Sequence, residues 1–106
     1  MTDTLKRLAG PLALTTSAAT VYTVPGSTVA TVTSIHVANE SGASALFTLS
    51  IGTDGAGKRF FFQIPVLNQN AFDWAGTLVL AATEIIAAYS DTATALTLTI
   101  SGIETT

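Results

Sequence analysis

The chain has no cysteine and a single histidine, His36. The first absence excludes disulfides, iron–sulfur clusters and thiolate zinc sites. The second excludes a multi-histidine metal centre within one chain. Charge is also scarce, at 10% of 106 residues and a net −3, and the only cations are Lys6, Arg7, Lys58 and Arg59. Four cations are too few to track a phosphate backbone, so nucleic acid is not an expected partner. No apolar run reaches the length of a membrane-crossing helix, so no membrane partner is expected either. Lys6-Arg7 do precede an apolar stretch. Gly10-Pro11 interrupt it, and Asp3 lies where a signal peptide is positive, so the N-terminus is not read as one.

What fills the chain instead is Thr, Ala and other apolar residues. Thr is the most abundant residue, Ser and Thr together make up about a quarter of the sequence, and 48% is hydrophobic. That hydrophobicity excludes a disordered tail. β-Branched Thr at exposed positions suits a pleated, half-buried surface, so strands are expected. A surface so poor in charge is weakly defended against association, and neighbouring subunits are expected to cover much of it.

From residue 20 onward the apolar pattern has period two, and the turns are short. Strands are predicted at 20–24, 28–39, 45–51, 58–66, 71–74, 77–81, 85–89 and 96–102. In the second of these, apolar character changes face near Thr33, which marks a bulge or bend. Eight short antiparallel strands predict an all-β, two-sheet sandwich, either jelly-roll-like or immunoglobulin-like. The expected core includes Ile35, Val37, Phe47, Leu49, Phe60, Phe62, Ile64, Leu96, Leu98 and Ile100. Gly10-Pro11 is read as the stop of an extended N-terminal arm, residues 1–16, with one sandwich domain over 17–106. The arm's Leu5, Leu8, Leu12 and Leu14 are expected to reach a neighbouring subunit.

No motif carries catalytic chemistry. Gly52 to Lys58 matches the start of a phosphate-binding loop. Arg59 then stands where the Mg²⁺-binding hydroxyl belongs, and Phe60-Phe61-Phe62 cannot open the required helix. The segment is read as a glycine-rich hairpin loop. His36 lies mid-strand without a nucleophile elbow and is read as a surface, interface or core side chain. Most of the seven carboxylates fall in turns, where they bond backbone N–H groups, and none has metal-ligand spacing. Asn39-Glu40-Ser41 is a chance match to a glycosylation site. No catalytic residue, cofactor or metal is therefore expected. The aromatic group Phe60, Phe61, Phe62, Phe72 and Trp74 reads as a two-sided strand with core on one face. Phe61 and Trp74 are then placed at a subunit interface. The alternative is a stacking platform for surface carbohydrate, centred on Trp74 and Phe61.

The run Val21-Tyr22-Thr23-Val24-Pro25 is followed by a strand ending Ile35-His36-Val37-Ala38-Asn39. Then come Phe47-Thr48-Leu49-Ser50-Ile51, Gly76-Thr77-Leu78 with Thr83-Glu84, and Gly102-Ile103-Glu104. In this order the motifs resemble a group of small structural proteins of tailed bacteriophages, over roughly residues 20–104. The resemblance implies a non-enzymatic virion component with a β-sandwich fold, accessory to capsid or tail. It implies a homo-oligomer, a trimer or ring, that contacts other virion proteins, and it carries over no catalytic residue. The second reading that stays open is a carbohydrate- or host-surface-binding module of tail or capsid.

Overall fold

Alternating Thr with Val, Ile and Leu places one set of side chains on each face of a strand, and the strands must then bury their apolar faces against each other. The computed structural model describes residues 2–106. It contains eight strands: β1 (Asp3–Ala13), β2 (Ala19–Thr23), β3 (Val29–Asn39), β4 (Ala45–Ile51), β5 (Arg59–Val66), β6 (Ala71–Leu80), β7 (Ile85–Ser90) and β8 (Leu96–Thr105). They form two four-stranded sheets with orders β1-β8-β3-β6 (sheet I) and β2-β7-β4-β5 (sheet II). All pairings are antiparallel. The chain therefore alternates between sheets except at the β4–β5 hairpin. This is the double Greek key of a jelly roll, and it removes the immunoglobulin-like alternative.

The core lies between the sheets. Ile35, Val37, Phe47, Leu49, Leu96, Leu98 and Ile100 are fully buried there, as the alternation predicts. The change of face in β3 is a bulge at Thr33. Registers with both neighbours, β6 and β8, shift between Val32 and Ser34. Ala30 and Val32 point inward before it, and Ile35, Val37 and Asn39 after it.

Several expectations are corrected. The N-terminal arm is absent, because residues 3–13 are β1, an edge strand paired with β8 from Asp3↔Thr105 to Ala13↔Thr97. Leu8 and Leu14 are buried in this chain's own core and Leu12 packs against it, so only Leu5 faces away. Gly10-Pro11 does not stop the strand but lies in its bulge, where the backbone crosses Leu98 closely. The segments 71–74 and 77–81 are one strand, β6, because Gly76-Thr77 form an irregularity opposite Thr33 rather than a turn. Phe60 and Phe62 are exposed, and Phe61 is the residue that packs on the core. Gln63 has φ 52, and β5 slips against β4 between the pairs Phe47↔Ile64 and Leu49↔Phe61. That bulge puts Phe61 and Ile64, three residues apart, on the same inner side.

The close crossing at Gly10 is testable. Gly10 has φ 82, and an added Cβ would lie 2.0 Å from the Leu98 carbonyl oxygen. Gly10→Ala should therefore destabilise the fold by about 2–4 kcal/mol, read as a lower urea midpoint with unchanged slope. An unchanged midpoint would mean that β1 does not cross β8 here.

Candidate functional site

A sandwich has two long open sides, where the edge strands of the two sheets run past each other. One open side lies between β5 and β6, and aromatic side chains close it. Phe61 of β5 meets Phe72 of β6 edge-on, with ring centres 5.1 Å apart, and Phe47 of β4 at 6.0 Å. Phe60 meets Trp74 edge-on at 5.3 Å. Such edge-to-face pairs add to the burial of the rings themselves. Trp74 also lies over Gly76, where an added Cβ would come within 2.9 Å of the indole. The two aromatic residues singled out from the sequence are thus brought together with Phe60 and Phe72, and both pack against the core. Trp74 meets both Phe60 and Phe61 edge-on, and Phe60 stays exposed. Phe62 stands outside this group, with the Arg59 guanidinium 4.5 Å from its ring centre.

The other open side, between β1 and β2, is closed by polar groups. The buried Tyr22 of β2 donates its hydroxyl to Glu104 Oε2 of β8 at 2.5 Å, and Lys6 Nζ of β1 reaches Glu104 Oε1 at 3.2 Å. The Tyr22 hydrogen bond, then Lys6, hold the Glu104 carboxyl below its usual range against the opposing effect of burial. Burial, then the hydrogen bond and charge of Glu104, push the Tyr22 phenol well above its usual range. These side chains stitch the two sheets together and do not line a cleft.

The remaining titratable groups are structural or open to water. His36 Nδ1 pairs with Asp73 Oδ1, directly across β3 and β6 on the outer face of sheet I, and both side chains are exposed. Asp54 accepts from Ser50 and from Arg59, and the Arg59 contact lowers its carboxyl. The glycine-rich segment is the β4–β5 hairpin loop, and it folds back through these bonds. An open notch of about 550 Å³ lies at Asn39, Glu40, Gln69 and Asn70. Asn39 is already committed there, because its amide donates to Ala43 and Val66 carbonyls and accepts from the Ser41 N–H. Among the described residues no three His, Asp or Glu side chains group closely enough to hold a metal ion.

The outer faces of the two sheets differ. In sheet II the outward positions Thr48 and Ser50 are each only 1% exposed. Thr48 accepts the Gln63 N–H, and Ser50 donates to Asp54 of the hairpin loop. The outer face of sheet I has no such cover. The paired residues Leu5↔Ile103, Ile103↔Thr31 and Thr31↔Val79 form one row across all four strands. Leu5 is 78% and Val79 61% exposed, and Val29 in the next row is also exposed. Sequence reasoning singled out Leu5 but not Ile103, Thr31 or Val79, which share its row. Val79 was legible as the outward residue between Leu78 and Leu80. The row itself depends on pairing the two ends of the chain.

No protein-family model matches the chain, and no curated protein is similar to it.

Two measurements check the two closed sides. Phe61→Ala should destabilise by about 2 kcal/mol or more, and Phe62→Ala by under about 1 kcal/mol, in chemical denaturation. The reverse order would restore the sequence-based placement of these rings. On the polar side, the folded pKa of Glu104 is lowered. Its contribution should be complete above about pH 5 and fall as pH drops through the folded value. The folded pKa of Tyr22 is raised, so its contribution should be lost as pH rises above about 10. Melting curves across pH should therefore show a shallower acid limb in Glu104→Gln and a shallower alkaline limb in Tyr22→Phe. Limbs parallel to the wild type would place neither group in the stitch.

Proposed function

We propose that this chain is a non-enzymatic structural protein of a tailed-bacteriophage virion, which self-associates on the capsid or tail to stabilise or decorate the particle. The observation that carries this reading is the uncovered outer face of sheet I. It combines a four-stranded surface with an exposed apolar row, whereas on the opposite outer face the chain's own hairpin loop covers Ser50. Exposed apolar patches on a soluble domain mark sites of association. The resemblance of the ordered motifs from Val21-Tyr22-Thr23-Val24-Pro25 to Gly102-Ile103-Glu104 supports the virion assignment. A jelly roll is compatible with it, since capsid proteins are among the proteins that use this architecture. The fold alone is not the argument, because one architecture hosts many functions.

Antibody against the chain, applied with gold label to intact phage particles whose genome encodes it, should label them at regular positions. Those positions would assign capsid or tail. Particles without label, when mass spectrometry of the same purified particles also lacks the chain, would overturn the reading.

A further inference from the structure

We infer that the outer face of sheet I is the surface through which the chain self-associates, with a second copy of the same chain as its occupant. Two copies pair there about a two-fold axis parallel to the strands. This rests on the self-association proposed above and names its surface, partner and symmetry.

The area suits a second copy. Four strands about 4.8 Å apart, each with about ten residues rising about 3.3 Å, present a face of roughly 600 Å². Two such faces bury roughly 1,200 Å², the lower bound of a specific protein–protein interface. The same aligned face-to-face packing already joins sheets I and II inside the molecule. The outward residues are mostly small or β-branched, which lets two sheets approach closely.

The pattern on the face chooses the symmetry. The apolar residues lie at one end, in the row Leu5–Ile103–Thr31–Val79 and the adjoining Val29. The exposed His36–Asp73 pair lies toward the other end. A two-fold axis across the strands would set the apolar end of one copy against the polar end of the other. An axis along the strands sets like against like. It also places β1, one edge of the sheet, over β6, the opposite edge, in the partner. Leu5 then meets Val79 of the second copy, and Ile103 meets Thr31, each contact occurring twice as an isologous pair requires.

Charge fits the same arrangement. Arg7 is paired with Ser101, and Ser101 lies level with Ser34 and Ala75. The axis along the strands thus brings Arg7 over Ala75 of the second copy, next to Asp73. Arg7 at one edge and Asp73 at the other are therefore complementary across the pair, while Asp3, in the Val29 row, accepts from the Thr105 hydroxyl of its own chain. The contact buries β1 and β6 faces but leaves the aromatic side and the polar stitch free.

The test is the mass of the full chain in solution, measured by light scattering after size exclusion and by sedimentation over a wide concentration range. Wild type should form a pair. Leu5→Lys with Val79→Lys should weaken it by at least about a hundredfold, since two charges enter each apolar contact. Arg7→Glu or Asp73→Lys alone should weaken it about tenfold, and the two together should recover most of the loss. All four positions are exposed, so circular dichroism and melting should confirm an intact sandwich. A wild type that stays monomeric throughout overturns this surface, while labelled particles would still leave the virion assignment standing. A trimer or ring, or any oligomer that ignores the lysine substitutions, overturns the surface and the two-fold pairing but not self-association.

Discussion

The extra residue at Thr33 decides which side chains of sheet I face the core. β3 lies between β8 and β6, so its register is shared by both neighbours. Without the bulge, strict alternation would send either Ala30 and Val32 or Ile35 and Val37 to solvent. With it, both halves of β3 contribute buried side chains, and β6 answers with its own irregularity at Gly76-Thr77. The consequences reach both long sides of the sandwich. Beyond the bulge, Ile35 aligns with Trp74 and Val37 with Phe72, which aims the two β6 aromatics at β5. Before it, Val32 aligns with Gly102 of β8, on whose inner side Glu104 follows to meet Tyr22.

The two long sides solve one physical problem with different chemistry. Edge strands of stacked sheets leave apolar core partly open to water, and that gap must be filled by side chains. Between β5 and β6 the filling is hydrophobic area plus ring–ring geometry, which holds at any pH. Between β1 and β2 it is a carboxylate shared by a phenol and an ammonium, which works only while Glu104 is ionised and Tyr22 is not. The polar solution makes orientation specific, because both Glu104 oxygens have a defined partner on a different strand. It also ties the first strand to the last, so the chain ends close the fold.

Much of this architecture was legible from period-two patterning alone. β4 and β8 alternate cleanly, and the phase change in β3 was visible as a change of apolar face. β1 was not legible, because Leu5 is out of phase with Leu8, Leu12 and Leu14, and the neighbours Leu8 and Ala9 both turn inward at a bulge. Gly10-Pro11 also has the composition of a stop. What keeps the strand going there is a tertiary contact, the close approach to Leu98, that no local rule contains. The three consecutive phenylalanines carry no phase at all, so the inner residue was set by the bulge at Gln63. The aromatic residues named from sequence do come together. The apolar row on sheet I was hidden for a different reason. It joins residues 5, 103, 31 and 79, and only the pairing of the first and last strands lines them up.

The contrast between the outer faces follows from where the long hairpin loop falls. β4 and β5 are the only consecutive strands in one sheet, so their connection stays on sheet II. Through Asp54 it covers Ser50, while the Gln63 N–H at the β5 bulge bonds Thr48. Connections between the other strands must cross from one sheet to the other, which confines them to the ends of the sandwich. None is left to lie across sheet I. A jelly roll with this loop arrangement therefore leaves the outer face of sheet I uncrossed by any connection among the described residues. The composition of that face then determines its behaviour. Arg7 and Asp73 place charge at its two edges, while Leu5, Val29, Val79 and several Thr leave one end apolar and poorly defended by charge.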